Sequence, residues 1–383
     1  MRRKLLMIPG PIEVDEQVLM TNGKPVDSHV SPVFIETYGA CLDGLKTVFA
    51  AEDGMPFVIA GSGTYAMELA VANVVEPEDR CIVLETGYFS WRMADILLRH
   101  GGVVDLVKAE VGMVPDLDDV ETALKSGAKI LAITHVDTST GVVAPVKEYA
   151  ALGRKYNALV IVDGVCAVAG QEFRQKDWDV DICLTGSQKA LAAPPGLALV
   201  MARPRALKAF EGRKTPVGSY YADWNLWLPI MRAYMDRKPS YFATPAVNLV
   251  DSLAVSVQQI LEEGMDARWK RHRKVSKAFK AGSTALGLNQ IPVEEAHRAD
   301  TLTTLYYPEG VDAALLGRIG KAGVALAGGL YPELKTQYFR VGHMGNNGIQ
   351  EILTTLSAIE SGLGIQDGSG VAAAQAEWVK NND

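Results

Sequence analysis

The stretches that decide the fold are Leu159-Val160-Ile161-Val162-Asp163 and Leu184-Thr185-Gly186-Ser187-Gln188-Lys189-Ala190-Leu191. The first is an apolar strand pattern that ends in an acid, and the second carries a lysine just beyond the next strand pattern. A pyridoxal phosphate enzyme needs these two groups. Its lysine amine holds the cofactor as a Schiff base, and its carboxylate keeps the ring nitrogen protonated, so that the ring accepts electrons from a carbanion. Asp163 and Lys189 are therefore the candidate catalytic residues.

Strand patterns like these two recur between residues 55 and 202 and predict one sheet. Seven strands are expected, at 57–60, 81–85, 103–108, 130–135, 159–163, 181–185 and 197–202. Amphipathic helical patterns lie between several of them, at 65–75, 117–125 and 146–156. Strands that are apolar on both faces and separated by helices are typical of βαβ units. We therefore predict an α/β fold with a mostly parallel sheet that is covered on both sides.

The alternation stops after residue 202. A stretch rich in Trp, Tyr and Pro, residues 215–245, predicts an irregular segment over a site or an interface, and a long helix is expected at 246–263. A basic helix is expected at 269–281, and weaker strand and helix patterns follow at 301–307, 313–322, 338–341 and 349–363. We predict an N-terminal arm (1–13), a large domain (14–263) and a smaller α+β C-terminal domain (264–383). The tail from Gln366 is expected to add little to the core.

Bulk properties exclude several classes of protein. The net charge of −7 gives no basic surface for nucleic acid or anionic lipid, and no apolar run approaches the ~20 residues of a membrane span. The first apolar run stops at Pro9, too early for a signal peptide. The four cysteines have neither disulfide nor metal-ligand spacing, and the six histidines are scattered. We expect a cytoplasmic enzyme without a metal.

Further candidate residues lie where the expected strands end, which is where open α/β sheets bind ligands. Gly61-Ser62-Gly63-Thr64 opens a helix, so its backbone N–H groups and the helix dipole favour an anion. The hydroxyl-rich run 134–141, with Thr138, offers hydrogen bonds, and Phe89 offers a ring that can stack on a flat cofactor. Taken alone, the Gly-rich turn is as well explained by a tight strand–helix connection. A capped turn and ordinary packing are the better explanations of the other two features taken alone. Their occurrence at several strand ends predicts one site.

Arg340 lies in an apolar strand pattern, Tyr338-Phe339-Arg340-Val341-Gly342. A charge in such surroundings needs a partner, because burying it alone is costly. The planar fork of arginine fits a substrate α-carboxylate. An internal Asp or Glu partner is an equally good explanation from the local sequence.

Over nearly its full length the chain resembles the serine–pyruvate/alanine–glyoxylate branch of the class V aminotransferases, which are fold-type I pyridoxal phosphate enzymes. The motifs that carry the resemblance are 8–11 (IPGP), 61–64 (GSGT), 134–141 (THVDTSTG), 162–165 (VDGV), 186–191 (GSQKAL), 193–196 (APPG), 241–245 (YFATP) and 339–342 (FRVG). The resemblance implies a homodimeric aminotransferase that acts on small amino acids and 2-oxo acids.

The resemblance also implies a role for each matching residue. Lys189 would be the Schiff-base lysine and proton shuttle, and Asp163 would pair with the ring nitrogen. Val165 and Phe89 would pack against opposite faces of the ring. Arg340, with Thr138 and Gly10, would bind the substrate. The phosphate would be held by Ser62, Gly63, Thr64 and Gln188, joined by Tyr241 and Thr244 of the neighbouring subunit.

Three departures from the family pattern concern the pocket. Relatives often carry His where Thr64 stands, Trp where Phe89 stands, and Gly-Glu-Ser-Ser where residues 136–139 read VDTS. These exchanges keep a polar group and an aromatic plane. We therefore expect cofactor binding to persist, while the preferred amino acid stays open.

Three other functions remain as alternatives. The first is amino transfer from 2-aminoethylphosphonate to pyruvate, since an arginine also holds a phosphonate. The second is cysteine desulfuration, which is disfavoured because no cysteine follows Cys183. The third is a nucleotide-binding Rossmann oxidoreductase. It is disfavoured because Ala66 stands where the dinucleotide motif needs its third glycine.

Overall fold

Strands and helices alternate through the first half of the molecule, as shown by a computed structural model that describes residues 3–380. The strands are β1 Leu5–Leu6, β2 Met55–Ala60, β3 Arg80–Leu84, β4 Val103–Val107, β5 Ile130–Thr134, β6 Val136–Asp137, β7 Val142–Val143, β8 Leu159–Asp163, β9 Ile182–Gly186, β10 Leu197–Ala202, β11 Leu302–Tyr306, β12 Val324–Ala325, β13 Ala327–Gly328 and β14 Tyr338–Gly342. The helices are α1 Glu16–Asn22, α2 Pro32–Val48, α3 Gly63–Val74, α4 Tyr88–Arg99, α5 Leu117–Leu124, α6 Val146–Lys155, α7 Pro204–Glu211, α8 Trp224–Met235, α9 Val247–Glu263, α10 Met265–Ala285, α11 Ala314–Lys321, α12 Ile349–Leu363 and α13 Ser369–Lys380, with a 3₁₀ turn at Glu295–His297.

The central sheet has seven strands in the order β2-β10-β9-β8-β5-β3-β4. Only β10 runs against its neighbours, and all other neighbouring pairs are parallel. The predicted α/β fold with a mostly parallel seven-stranded sheet is therefore confirmed. Because β8 and β9 are adjacent and parallel, with Asp163 paired to Leu184, the acid and the lysine emerge at the same edge of the sheet.

Burial along the sheet explains why its strands are apolar on both faces. Every residue of β5, β8 and β9 is buried, since helices cover both sides of the sheet. The edge strand β4 differs: Val103 is 46% exposed and Leu106 is 37% exposed. The hydrophobic effect therefore fixes the centre of the sheet, which carries the candidate catalytic residues.

A second hydrophobic cluster forms around the three-stranded antiparallel sheet β11-β14-β13 and helices α10, α11, α12 and α13. The N-terminal arm joins this cluster through Met7, and β1 pairs in parallel with β12. Helices α9 and α10 meet at Gly264, whose φ of 80° is one that glycine adopts without strain. The division into an arm (1–13), a large domain (14–263) and a small domain (264–383) stays a prediction.

Two predictions about irregular structure were wrong. The segment 215–245 contains the twelve-residue helix α8, which buries Trp224, Trp227 and Tyr234. The tail beyond Gln366 forms α13, which packs on α10 and α12 and buries Ala374 completely. Tertiary packing overrode weak local signals in both segments, because each helix gains its stability from an apolar face rather than from its own propensity.

All four cysteines are buried, and burial raises the pKa of each thiol. Within residues 3–380, no cluster of three or more His, Cys, Asp or Glu side chains could hold a metal ion. No helix in that range has the length and apolar character needed to cross a bilayer. The cytoplasmic location stays a prediction.

Candidate active site

A cavity of about 150 Å³ opens at the ends of the central strands, next to the first turns of α3 and α4. Nine of the residues singled out in the sequence line it: Ser62, Gly63, Thr64, Phe89, Thr138, Asp163, Val165, Gln188 and Lys189. Met67, Arg92, Val136 and Cys166 complete the wall. The topology explains this convergence, because the carboxyl ends of parallel strands share one edge of the sheet.

Lys189 lies in the turn after β9, and the N-terminal arm reaches it from the opposite side. Its Nζ donates a hydrogen bond to the carbonyl oxygen of Pro9. Gly10 comes so close that a Cβ there would lie 2.6 Å from Lys189 Cδ. The φ of Gly10 is +107°, which also disfavours any other residue. Gly10 is thus a neighbour of the lysine, as its candidate role at the substrate requires.

Asp163 ends β8 and is 3% exposed. Its Oδ1 accepts a hydrogen bond of 2.9 Å from the backbone N–H of Val165, and no Lys or Arg within residues 3–380 forms an ion pair with it. Burial is the largest influence on this carboxyl and raises its pKa to about 7, against the weaker opposing charges of Arg92 and Lys189. Such a group gains from a bound cation, because a positive partner restores the ionised form.

The turn before α3 forms a cradle of backbone donors. Ser62 is the N-cap of the helix and makes no side-chain capping hydrogen bond, which leaves first-turn N–H groups available. Gly63 N lies 3.1 Å from where a Cβ on Gly186 would stand, so glycine is needed there for the two turns to approach. The side chain of Gln188 also lines the cavity, and its amide NH2 group can donate a hydrogen bond. A phosphate fits these groups, since helix N-termini bind anions.

The first turn of α4 carries the aromatic ring of Phe89 and is held by Asp137. One oxygen of this buried carboxylate accepts a hydrogen bond of 3.0 Å from Phe89 N, and the other accepts from the N–H and hydroxyl of Ser139. The Ser139 hydroxyl oxygen in turn accepts from Tyr88 N at 2.9 Å. A Cβ on Gly87 would lie 2.4 Å from Ser139 Oγ, so only glycine fits before the ring.

Arg340, on β14, does not line the cavity itself, but it contacts Thr138, which does. Its guanidinium donates to the carbonyl oxygens of Gly328 (2.8 Å) and Thr138 (3.4 Å). No Asp or Glu within residues 3–380 lies within ion-pair distance of it, so the alternative of an internal acid partner is wrong. Burial lowers the pKa of this arginine. It is a partly buried cation beside Thr138, available to an anionic ligand.

Tyr241 and Thr244 stand apart from this cavity. Both are exposed in the connection between α8 and α9, and Tyr241 is 64% exposed. Neither lines the cavity of its own chain. Their expected place in the site of a second subunit stays a prediction.

Sequence reasoning missed two polar residues of the site, Arg92 and Asp137. Asp137 stands in the quoted run 134–141, and an acid just past a strand end could have marked it. Arg92 had no such signal, because its distance from Phe89 along the chain becomes a contact only when α4 is formed. His135, quoted in the same run, is buried against Phe173 and Trp178, and burial lowers its pKa to about 3.

Known proteins are similar to this chain over most of its length. A model of the family "Aminotransferase class-V" matches residues 17–331. The alanine–glyoxylate aminotransferase 1 of Saccharomyces cerevisiae is 34% identical, covering 89% of this chain and 91% of the yeast protein. The serine–glyoxylate aminotransferase of Arabidopsis thaliana is 31% identical, covering 97% and 94%. The crystal structure of the ureidoglycine–glyoxylate aminotransferase of Bacillus subtilis superposes with a TM-score of 0.92 at 28% identity, covering 99% of both chains.

Proposed function

The chain belongs to the class V aminotransferases, and we propose that it uses pyridoxal 5′-phosphate to move the amino group of serine or alanine to pyruvate or glyoxylate. It has the fold-type I architecture of this class, and it is an aminotransferase. Membership of the class V family excludes the alternative of a nucleotide-binding Rossmann oxidoreductase. The observation that carries the proposal is the convergence of Lys189, the buried acid Asp163 and the cradle at Ser62–Thr64 on one cavity.

The residues of the cavity fit the cofactor group by group. When bound, pyridoxal phosphate supplies a ring that accepts the electron pair left behind when a proton is removed next to the amino group. Asp163 would hold a proton on the ring nitrogen, because its buried carboxyl has no ion-pair partner among residues 3–380. Val165 and Phe89 would confine the ring between them. Gln188 and the first turn of α3 would bind the phosphate.

Lys189 is the group placed to move protons. Its Nζ would take the α-proton of the amino donor as a general base and return it as a general acid. The turn after β9 and the contact with Gly10 limit where this amine can lie. Because one lysine serves both halves of the reaction, donor and acceptor are expected to use the site in turn, with ping-pong kinetics.

Arg340 supports a substrate that carries an anionic group. Its two hydrogen-bond partners are neutral carbonyl oxygens, and a carboxylate near Thr138 would give it an ion-pair partner. Small donors and glyoxylate are favoured because the yeast and Arabidopsis relatives are named for alanine, serine and glyoxylate. A phosphonate would suit the same arginine, so 2-aminoethylphosphonate is the competing donor.

A panel assay tests this proposal. Purified protein with added pyridoxal phosphate is given serine, alanine or 2-aminoethylphosphonate, each with pyruvate or glyoxylate, and both products are quantified. We expect serine or alanine to be the fastest donor and the Lys189→Ala variant to sustain no multiple turnover. Faster turnover of the phosphonate would overturn the substrate assignment. Sulfide release from cysteine would revive the desulfurase alternative.

A further inference from the structure

Arg92, on the first turns of α4, has no part in the roles described so far, yet it lines the cavity. Its Nη1 donates a hydrogen bond of 2.8 Å to the hydroxyl oxygen of Thr64, at the start of α3. Its Cζ lies 4.7 Å from the centre of the Phe89 ring, within the range of a cation–π contact. One guanidinium therefore touches both the anion cradle and the aromatic platform.

No acidic side chain in the described part of the chain forms an ion pair with this arginine. Within residues 3–380 no Asp or Glu lies within ion-pair distance of Arg92, whereas most arginines of the chain pair with an acid. Its charge also acts on the pKa of Asp163, which it lowers against the effect of burial. An arginine that lines a ligand cavity and lacks a carboxylate partner has its charge available to the ligand.

The hydrogen bond from Arg92 determines whether the Thr64 hydroxyl donates or accepts in each of its hydrogen bonds. A threonine hydroxyl can accept or donate, and its proton rotates to suit its neighbours. An arginine can only donate, so Thr64 Oγ1 is the acceptor in this pair. The hydroxyl proton is then left to point away from Arg92, which makes Thr64 a donor. A donor beside the free N–H groups of α3 adds to an anion site.

We propose that Arg92 is a positioning residue, which orients the Thr64 hydroxyl as a donor to the cofactor phosphate and holds the Phe89 ring in its stacking plane. This inference rests on the proposed function, because it takes pyridoxal phosphate as the ligand. It also explains how Thr64 serves where relatives often carry histidine. In place of the hydrogen bonds that a histidine would make, this chain has those of the Thr64 hydroxyl and of Arg92 on the next helix.

The test is binding of pyridoxal phosphate to cofactor-free protein, measured by absorbance titration, with pyridoxal as the ligand that lacks a phosphate. Arg92→Met keeps the apolar stem over Phe89 and removes the donors. We expect it to weaken pyridoxal phosphate binding about tenfold or more, as for the loss of a charge-assisted hydrogen bond. Pyridoxal binding should fall less, because the Thr64 hydroxyl acts on the phosphate.

Two further substitutions distinguish the orientation of the Thr64 hydroxyl from the effect of the Arg92 charge. Thr64→Val removes the hydroxyl, and combining it with Arg92→Met should weaken binding by less than the product of the single effects. Arg92→Lys keeps the charge, but its side chain ends one bond short of the Nη1 that donates to Thr64, so binding should stay impaired. Arg99→Met, on the exposed end of α4, is the matched control. Thermal midpoints of the cofactor-free proteins report folding separately.

Each outcome bears on the inference. Equal losses for pyridoxal phosphate and pyridoxal, multiplicative effects in the double variant, or wild-type affinity in Arg92→Lys would overturn it. Wild-type protein that does not bind pyridoxal phosphate would instead overturn the proposed function. Should Arg92→Met fail to fold, Arg92→Lys and Thr64→Val still decide the question.

Discussion

Burial governs the Asp163 carboxyl in the cofactor-free protein. Its pKa is raised to about 7 in the folded state, against 3.8 for the ordinary group, so the folded chain holds an extra proton between these two values. Stability from this group is therefore lost as the pH rises through that window. A bound cationic ring would reverse the effect by favouring the charged carboxylate.

Replacing Asp163 by asparagine should therefore stabilise the cofactor-free protein at high pH. At pH 8 the variant should exceed wild type in the free energy of unfolding by up to about 4 kcal/mol, and at pH 5 most of the difference should vanish. Urea unfolding at both pH values measures this, with the exposed Asp177→Asn as control. Amino transfer should fall sharply in Asp163→Asn. A pH-independent difference, or near-normal turnover, would contradict the account of this residue.

Arg340 supplies the second prediction at this scale. Arg340→Ala removes the cation beside Thr138, so the apparent KM for carboxylate substrates should rise about 10- to 100-fold, as expected for a lost charged hydrogen bond. The change in kcat should be smaller, because Lys189 and Asp163 are untouched. Steady-state kinetics with both substrates provides the measurement, and the surface variant Arg80→Ala the control. Unchanged affinity for donor and acceptor would remove Arg340 from the site.

The sequence predicts those site residues that follow strand ends or match a motif. Asp163 and Lys189 could be placed together because neighbouring parallel strands end at one edge. Asp137 also follows a strand end and could have been marked in the same way, but Arg92 could not. The function of Arg92 depends on a contact between separate elements, its bond to Thr64, and local sequence carries no signal for such a contact.

At the scale of elements, α13 tests whether a helix is stabilised by burial of its apolar face rather than by its intrinsic helix propensity. Its Ala374 is completely buried in the second hydrophobic cluster, the one around the three-stranded sheet, whereas Ala376 is exposed on the same helix. Ala374→Glu should lower the free energy of unfolding by about 2–4 kcal/mol, because it buries a charge without a partner. Ala376→Glu should change it by less than about 0.5 kcal/mol. Equal effects in denaturant unfolding would show that α13 does not dock as described.

Helices α8 and α13 also show where prediction from sequence stops. The segment 215–245 is punctuated by prolines, and one of them, Pro229, lies inside α8. The tail is rich in Gly, Ala and Asn, a composition typical of loops. Both helices are stabilised by burial of residues such as Trp224 and Ala374 against distant parts of the chain. That contribution becomes visible only in the folded molecule.

At the scale of the whole molecule, the exposure of Tyr241 and Thr244 leads to a prediction about assembly. If these residues complete the site of a partner subunit, two inactive variants should complement each other. Lys189→Ala and the double variant Tyr241→Ala/Thr244→Ala are each expected to be inactive. Random mixing gives hybrid dimers with one intact site, and about a quarter of wild-type activity should return. No recovery in hybrids verified by mass spectrometry would place both residues outside the partner's site.

The most direct test of the central claim is an absorbance spectrum of the protein with pyridoxal phosphate, recorded before and after L-serine and then L-alanine are added. The account predicts a yellow protein whose aldehyde-form band collapses to that of the pyridoxamine form on addition of one of these donors. Glyoxylate or pyruvate should then restore the original band. A colourless protein, or a yellow one whose spectrum neither donor changes, would contradict the account.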